Sequence, residues 1–579
     1  MSTSTSGGGS RREFLQQAAF LSSLAAVGGL ETVSGQTQPS EPQNVGVKPV
    51  PWYRRTYRWC QTNIAEADVT RYDIAWWRQH WKRTEVQGVI INAGGIVAYY
   101  PSKFPLHYRP PALGDRDLYG EIAKAAREDG ITVLARMDSS RAHEPFYRAH
   151  PDWFCVDANG QVVQGAGLYT ACINGPYFDE YLPDVLREII DRSHPDGFTD
   201  NNWTGLGRNS ICHCANCARR FREYGGKDLP RQQNWDDQNY RKWIEWSYAR
   251  RLEVWDAFNK VTREAGGPDC LWLGMNGGGI GGQSSSFRDY KEICDRSEIV
   301  MLDHQFRSQA DGLQHNALAG KMIHGLLGWD KLIPESMPMY QNGTPATFRL
   351  TVKPPAEAKM WMLSGFAGGI QPWYHHIGAY HEDRRAYQIA EPLMKWHKAN
   401  EQYLVNRKPV ANVGVVWSQR NTDFYGRENP ELRVEQPWRG FTQALIRARI
   451  PFLPVHIDHI DRESPNLSVL IMPNIAAMTD QQIASVRKFV ERGGSLVATG
   501  DTSLCDEWGD ARADYALADL FGVKGGKLHR EASSERARAG EAVHSYLRLT
   551  PELRANVYGP KSGNEPIAAA DQKRHPVLA

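Results

Sequence analysis

The chain carries almost no net charge, because 68 Lys and Arg residues stand against 66 Asp and Glu residues among 579. Proteins that bind nucleic acid or an acidic membrane through charge have a basic excess. The sequence therefore gives no support for a nucleic-acid or membrane partner. Because no cysteine precedes Cys60, a lipid-attachment cysteine near the N-terminus is also excluded.

A glycine pattern for binding a dinucleotide is likewise absent. The stretch GGSLVATGD, residues 493–501, follows an amphipathic segment but has too few glycines at the required spacing. We interpret it as a buried strand that ends in a turn, and we predict no organic cofactor.

The nine cysteines do not suggest a full disulfide framework, because their number is odd. Three of them, Cys212, Cys214 and Cys217, form a Cys-x-Cys-x-x-Cys motif. Thiolates at this spacing can meet at one tetrahedral ion. We predict a structural zinc site here, with disulfides and free thiols as alternatives, and we expect most other cysteines to be small core hydrophobes.

The N-terminus contains the stretch SRREFLQQAAFLSSLAAVGGL, in which Arg11 and Arg12 precede a mildly apolar run. It resembles a bacterial twin-arginine export signal. A basic leader or a membrane anchor are the alternatives, but the run is short for a spanning helix and contains Ser and Gly. We predict a signal peptide over 1–35, a flexible lead-in over 36–55, and a mature protein in the periplasm or outside the cell, free of the membrane.

Between residues 56 and 407, short apolar runs alternate with amphipathic segments. Eight such runs are typical of a (β/α)8 TIM barrel, with a doubly wound open sheet as the competing fold. The predicted strands are 57–63, 86–92, 131–138, 196–202, 270–276, 298–303, 332–335 and 369–374.

A second pattern follows the barrel. Four apolar runs separated by helical segments at 435–448 and 479–492 predict a flavodoxin-like three-layer α/β domain over 408–523. The tail, 524–579, is charged and contains Pro and Gly, which fits a partial β module or a poorly ordered segment. The strands predicted for this domain are 409–418, 450–457, 467–474 and 493–500.

Nearly every predicted barrel strand ends on a polar or aromatic side chain. The ends of all strands in such a barrel converge on one face, where active sites lie. Carboxylates, amides and tryptophans are suited to binding sugars, so we predict a carbohydrate substrate. The alternative to sugar binding is a place in the barrel core for Trp373 and a place at the barrel rim for Trp203. The candidate substrate-binding residues are Asn92, Asp138, Asn201, Asn202, Trp203, Asn276, Trp373 and His375.

Several segments resemble the family 42 β-galactosidases. The segment 150–189 and the following TDNNWTGLGRNSICHCANCARRF match that family in order. IPESMP, residues 333–338, resembles its strand-7 segment with the nucleophilic Glu, and 357–376 resembles its last helix and strand. The domain 408–523 resembles its trimerisation domain. Hypothetical glycosyl hydrolase families that combine such a barrel with this domain are similar as well.

The resemblance implies a glycoside hydrolase with a β-galactoside-like substrate and a trimeric assembly. It also implies a fourth ligand for the zinc, because Cys172 in TACINGPY occupies the matching position of the family. Cys155 and His213 are reserve ligands. Four thiolates would leave no position for a catalytic water, so the zinc would hold a loop in place.

One position departs from the family. Asn202 stands where family 42 has the Glu that acts as acid and base, and an amide cannot donate and recover a proton as a carboxyl can. The nearest carboxylate is Asp200, which lies on the same side of a strand as residue 202 because side chains alternate. A strand-4 Asp is the nucleophile of family 29 α-L-fucosidases and several α-galactosidases.

Two assignments of the catalytic pair follow. In the first, Glu335 is the nucleophile and Asp200 or Asp303 is the acid and base. In the second, which we favour because of Asn202, Asp200 is the nucleophile of a retaining hydrolase and Asp303 or Glu335 is the acid. A third interpretation is a catalytically inactive carbohydrate-binding barrel. Convergence of the three acids within about 10 Å on one face would favour an enzyme.

Overall fold

The computed structural model describes residues 50–277, 279–304, 312–338, 352–380, 383–405 and 407–524. It also describes a short antiparallel strand pair, Tyr546–Leu547 with His575–Pro576. The predicted signal peptide, most of the predicted lead-in and most of the tail lie outside the described residues.

The first sheet contains seven parallel strands in the order β5-β4-β3-β2-β1-β7-β6. Each strand lies within or overlaps a run that the apolar pattern predicts. The strands are β1 (Trp59–Asn63), β2 (Gly88–Gly95), β3 (Thr132–Asp138), β4 (Gly197–Asp200), β5 (Leu271–Gly274), β6 (Pro334–Pro338) and β7 (Gln371–Ile377).

Residues 299–302 close the ring between β5 and β6. Leu302 pairs in parallel with Asn276, just beyond β5, and with Glu335 of β6. This segment makes only isolated bridges, so it is less regular than the strand predicted over 298–303. With it, eight segments form the (β/α)8 barrel, and the predicted fold class is confirmed.

The barrel strands are buried on both faces, as expected for a parallel sheet covered by helices. Alternate side chains of a strand point to opposite faces. One set fills the barrel interior and includes Trp59, Ile90, Leu134, Leu273, Met301, Leu332 and Trp373. The other set packs against the helices and includes Cys60, Val89, Val133, Phe198, Trp272, Met337 and Tyr374.

The helices around the barrel bury one face each. The helix Leu118–Glu128 shows why: Asp117 accepts the Gly120 N–H at 2.7 Å and so caps the N-terminus, and Leu118 and Ile122 on its inner face are fully buried. The other helices of the barrel are Trp52–Arg55, Ile74–Arg83, Glu144–Ala149, Leu182–Ser193, Ala215–Glu223, Gln238–Gly266, Ile280–Ser285, Tyr290–Asp295, Gln314–Leu327, Pro355–Ala367, Arg385–Ala399 and Glu401–Leu404.

The connection after β3 carries a small antiparallel sheet beside the barrel. Its strands are Arg141–His143, Gln164–Gly165 and Leu168–Thr170. A π-helical turn, Tyr177–Tyr181, then leads into the helix that precedes β4. Within the described part of the chain, no helix combines the length and the apolar character that crossing a membrane requires.

The second sheet has four parallel strands in the order β9-β8-β10-β11, which is the flavodoxin-like arrangement predicted. Its strands are β8 (Val413–Trp417), β9 (Phe452–His456), β10 (Val469–Pro473) and β11 (Ser495–Thr499). The helices of this second domain are Gln419–Phe424, Gln436–Ala448, Ile460–Glu463, Asp480–Glu491 and Ala518–Phe521.

The second domain is joined to the barrel through buried polar contacts. Asp423 forms an ion pair with Arg208 from the connection after β4, and both side chains are almost fully buried. The hydroxyl of Tyr248 donates to the other oxygen of Asp423 at 2.7 Å. These contacts fix the connection that contains the cysteine motif.

Candidate active site

A network of polar side chains lies at the mouth of the barrel, where the C-terminal ends of the strands meet. Arg136 donates to Oδ1 of Asn63 at 3.0 Å and to Oδ1 of Asp138 at 3.3 Å. Gln61 donates to the same oxygen of Asn63 at 2.6 Å, and its Nε2 lies 3.2 Å from Nε2 of His375. Charged and amide groups thus cover the end of the apolar barrel interior.

Three further predicted sugar-binding residues sit in or near this network. Asn92 accepts the Ile64 N–H at 3.1 Å, and its Nδ2 lies 3.5 Å from Asp138. Asn201 is half-buried and follows β4 directly, and Asn202 is exposed. These amides are therefore positioned to meet a ligand at the mouth.

The predicted aromatic residues lie in the core instead. Trp373 is fully buried in the barrel interior with Trp59. Trp203 is also fully buried and packs edge-on against Trp255 and Trp272. Neither ring is accessible to a sugar, so both tryptophans pack the protein, which was the alternative interpretation of each.

Asn276 is also placed below the accessible surface. It is 1% exposed, and its Nδ2 donates to the carbonyl of Gly274 at 3.0 Å. Its backbone pairs with the segment that closes the barrel. Asn276 thus holds the connection between β5 and residues 299–302.

Asp200 is buried and accepts one side-chain hydrogen bond. Ser139 Oγ donates to Oδ2 at 2.5 Å, whereas Oδ1 has no hydrogen-bond partner among the described residues. Because it follows Phe198 by two positions, its side chain points to the helix-facing side of β4. Burial raises the pKa of Asp200 to about 7, although the bond from Ser139 lowers it.

Glu335 is fully buried between the sheet and the helices. Ile333 and Met337, which lie two positions before and after Glu335 and so share its face of the strand, pack against the helix layer. Nδ1 of His304 lies 2.9 Å from Oε1 of Glu335. Burial first, and then the negative charge of Asp303, raises the pKa of Glu335 well above its usual range.

Asp303 is the carboxyl that faces the barrel interior. It follows the interior residue Met301 by two positions and is only partly buried. Its charge acts on Glu335 and also on Arg288, which lies in the connection after β5. Asp200 acts on Arg288 as well, so two of the three predicted acids, Asp303 and Asp200, are electrostatic neighbours of one guanidinium.

Three residues of this region were missed by the sequence-based set: Gln61, Arg288 and His304. His304 follows Asp303 directly, so its position beside a strand-end acid could have identified it. Arg288 had no such signal, because it lies within a long irregular connection. Burial lowers the pKa of Arg288 to about 10, and its guanidinium lies over the ring of Trp203.

The four cysteines of the predicted zinc site are brought together. The Sγ atoms of Cys172, Cys212, Cys214 and Cys217 all lie within 4.8 Å of one another. Cys172 Sγ lies 3.4 Å from the sulfurs of Cys214 and Cys217 and 3.9 Å from that of Cys212. A tetrahedral site with Zn–S bonds of about 2.3 Å has sulfurs about 3.8 Å apart, so this donor set fits a zinc ion.

The surroundings of the cluster also favour thiolates. Cys214 is the N-cap of the helix Ala215–Glu223, where the helix dipole favours negative charge. The reserve ligand Cys155 is buried outside the group of four, and its thiol lies 3.5 Å from the carbonyl of Ala171. No disulfide joins any two cysteines among the described residues.

Two arginines of one long helix hold the loops on either side of this cluster. Arg250 donates to the carbonyl of Ile173, at 2.7 and 3.1 Å. Arg251 donates to the carbonyls of Thr204 and Leu206, at 3.1 and 2.7 Å. The loops that carry the cysteines are therefore fixed from the protein side as well.

Comparison with known proteins gives a family match over part of the barrel. Residues 77–201 match the model described as "Hypothetical glycosyl hydrolase 6". This region runs from the helix before β2 to the end of β4. No curated protein matches the chain.

Solved structures match over most of the chain. The β-galactosidase from Bacillus circulans sp. alkalophilus has a TM-score of 0.66 at 16% identity, covering 82% of this chain and 75% of its own. A GH42 β-galactosidase from G. stearothermophilus has a TM-score of 0.64 at 15% identity, covering 83% and 78%. α-L-Fucosidase isoenzyme 2 from Paenibacillus thiaminolyticus has a TM-score of 0.62 at 17% identity, covering 85% and 69%.

These likenesses lie at low identity, and they concern the fold. The matched structures are a fucosidase and β-galactosidases, and the partial family match names a glycosyl hydrolase. The chain therefore has a barrel of the kind found in glycoside hydrolases.

Proposed function

We propose that the protein is a glycoside hydrolase whose reacting groups lie at the mouth of the barrel. The observation that carries the proposal is the adjacency of Asp303, partly exposed and facing the interior, and Glu335, a buried carboxyl with a raised pKa. Leu302 and Glu335 are paired across neighbouring segments, which puts Asp303 next to that pair. Glycosidases need one charged carboxylate and one protonated carboxyl whose environments differ in this way.

In this proposal Asp303 contacts the sugar and attacks its anomeric carbon while the bond to the leaving oxygen breaks. The leaving oxygen takes its proton from the pair formed by Glu335 and His304, whose facing atoms are 2.9 Å apart. Water then attacks the glycosyl-enzyme bond and gives its proton back to this pair. The configuration of the anomeric carbon is thereby retained.

This assignment differs from both sequence-based assignments because it makes Asp303 the nucleophile, and it gives Asp200 no part in the reaction. Its carboxyl accepts from Ser139 Oγ, faces the helices and is 1% exposed, so it cannot attack a sugar directly. We therefore propose that Asp200 is a positioning residue, which ties the connections after β3 and β4 together. Its replacement by asparagine should lower activity far less than replacement of Asp303.

For the substrate we propose a β-galactoside, because of the resemblance to family 42 and the similar fold of several β-galactosidases. An α-L-fucoside is the second candidate, since a fucosidase has a similar barrel. The test is a panel of nitrophenyl glycosides that includes both, with the anomer of the first product determined by NMR. Retention on the β-galactoside supports the proposal, and inversion contradicts the role of Asp303 as nucleophile.

The role of Glu335 can be tested through the leaving group. Nitrophenol departs without much help from an acid, whereas an alkyl alcohol or a sugar needs a proton. Glu335→Gln should therefore lower kcat/KM much more for lactose than for the nitrophenyl galactoside. Glu298→Gln is the matched control, since Glu298 lies just before the neighbouring segment 299–302, at the end away from the mouth, and is paired with Arg54. Equal losses on both substrates would contradict the acid role.

A second candidate function is sugar binding without catalysis. It is favoured by Asn202, an exposed amide where family 42 has its acid and base. This alternative predicts that galactosides bind but that none of the panel is cleaved. Calorimetry on the same compounds separates the two functions.

We further propose that Cys172, Cys212, Cys214 and Cys217 hold a structural zinc ion. The support is the fit of their sulfur separations to a tetrahedral site. The ion would neutralise the thiolates and tie the connection after β4 to the loop that contains Cys172. Chelation should then lower the unfolding temperature without acting on the reacting groups directly.

We also propose export by the twin-arginine route, because of Arg11, Arg12 and the apolar run that follows them. Fusion of residues 1–50 to a reporter protein tests this proposal. Replacement of both arginines by lysine should keep the reporter in the cytoplasm. Unchanged export of the lysine variant would exclude this route.

A further inference from the structure

A cavity lies where the second domain meets the mouth of the barrel. The barrel side is formed by Ile280 and by the start of the helix Gln314–Leu327, and the second-domain side by the helix Gln436–Ala448. The space is about 560 Å³, including the part that is open to solvent. The enclosed part is about 50 Å³, so a sugar ring would lie mostly in the open part of the space.

Trp438 is the largest side chain in the cavity wall. It is half-buried, packed on one side against the apolar residues that join the two domains. Its indole Nε1 is buried and has no hydrogen-bond partner among the residues that the structure describes. A buried donor without a partner needs an explanation, and a ligand hydroxyl that accepts from it would supply one.

The rest of the wall combines apolar and polar groups. Leu318 and Met322 contribute methyl and thioether surface, whereas Gln314, Arg439 and Gln443 contribute planar polar groups. A sugar ring presents an apolar face and a rim of hydroxyls. An aromatic ring beside amide and guanidinium groups matches both parts of that surface.

The cavity adjoins the proposed reacting groups. His315 lines it, and its ring lies edge-on to the ring of His304 with centroids 4.7 Å apart. His304 in turn contacts Glu335. One histidine therefore separates the cavity from the proposed proton donor.

The second domain is held close enough to keep this cavity in shape. Gln419 accepts the Tyr290 N–H at 3.1 Å and donates to the Arg288 carbonyl at 2.6 Å. Glu435 approaches the glycine-rich segment so closely that a Cβ on Gly281 would lie 1.9 Å from its carboxyl oxygen. Only glycine permits this approach without displacement of Glu435.

We infer that this junction cavity is a subsite for a sugar unit on the leaving-group side of an oligosaccharide, with Trp438 as its stacking surface. The inference rests on the proposed function for the identity of the ligand as a carbohydrate. It adds that the second domain contributes directly to substrate binding. Longer galactosides should therefore bind more tightly than monosaccharide derivatives.

The experiment compares a short and a long ligand. The wild-type chain, Trp438→Ala and Trp438→Phe are assayed with nitrophenyl β-galactoside and with β-1,4-galactotetraose, and tetraose binding is measured by calorimetry in the Asp303→Asn background. Trp438→Ala should weaken tetraose binding about tenfold, as loss of a buried aromatic contact commonly does. Trp438→Phe should restore most of it, and in Trp438→Ala kcat/KM should fall less for the nitrophenyl galactoside than for the tetraose.

Trp396→Ala is the matched control, because Trp396 is 44% exposed and stacks on Phe366 on the outside of the barrel. Unchanged tetraose binding in Trp438→Ala would overturn the inference while leaving galactoside hydrolysis intact. A change of sedimentation in Trp438→Ala would also overturn it, because a second copy of the chain would then fill the cavity. If no glycoside is cleaved but tetraose binding still depends on Trp438, the hydrolase proposal fails and the subsite stands.

Discussion

Replacing Asp200 by asparagine is expected to remove a pH-dependent destabilisation of the fold. Burial raises the pKa of Asp200 from 3.8 to about 7. Each unit of pKa difference between the folded and unfolded chain corresponds to about 1.4 kcal/mol, so ionisation of Asp200 costs the folded state about 4 kcal/mol. The side chain is 1% exposed, so solvent screens this cost little.

The sign of the effect follows from proton binding. The folded protein holds the proton of Asp200 more tightly than the unfolded chain does, so its contribution to stability is complete below about pH 4. That contribution is lost as the pH rises from about 4 through about 7. Asparagine cannot ionise, and its amide oxygen can still accept from Ser139.

Urea unfolding followed by tryptophan fluorescence at pH 4 and pH 8 measures the effect. The difference in unfolding free energy between the two pH values should be about 4 kcal/mol smaller in Asp200→Asn than in the wild type. Other titrating groups, including Glu335, are common to both proteins and cancel in this comparison. Parallel pH profiles of the two proteins would refute the burial argument for Asp200.

Further predictions concern the zinc site and the domain junction. The purified protein should contain about one zinc per chain. Cys172→Ser should lose the metal and have a lower Tm, whereas Cys294→Ser, which replaces a buried thiol outside the cluster, should keep the metal. A metal-free wild type would exclude the site. Asp423→Asn should lower the unfolding free energy by about 3–5 kcal/mol, because Arg208 is left buried without its partner. Asp519→Asn, in an exposed ion pair, should cost less than about 1 kcal/mol; equal effects of the two replacements would contradict the buried pair.

The barrel could be predicted because its strands are buried on both faces. Segments such as β2 and β3 are therefore continuous apolar runs between amphipathic helices, and their spacing indicates the fold. The segment 299–302 was predicted as a strand of normal length but makes only bridges. Its irregularity depends on the fit between β5 and β6, which the local sequence does not contain.

The candidate site was predictable only in part. The sequence indicates that acids follow several strands, because polar side chains at strand ends are visible in it. It does not indicate which side of the strand each acid faces, since the phase of the alternation depends on packing against the barrel interior. Asp303 faces the interior whereas Glu335 and Asp200 face the helices, and this difference separates their accessibility.

The sequence could not predict which residues meet across the domain junction. Trp438 and His315 line one cavity although more than a hundred residues separate them. No periodicity or motif links positions so far apart. The glycine-rich segment around Gly281 was the available signal, because such glycines often permit a close approach of another element.

The most direct test of the hydrolase proposal is the rate of galactoside cleavage in Asp303→Asn relative to the wild type and to Glu298→Gln. Loss of a nucleophilic carboxylate should lower kcat/KM by about a thousandfold or more. Glu298→Gln should retain nearly the wild-type rate, because Glu298 lies at the other end of the segment. If Asp303→Asn cleaves the galactoside at the wild-type rate, the role of Asp303 as nucleophile is contradicted.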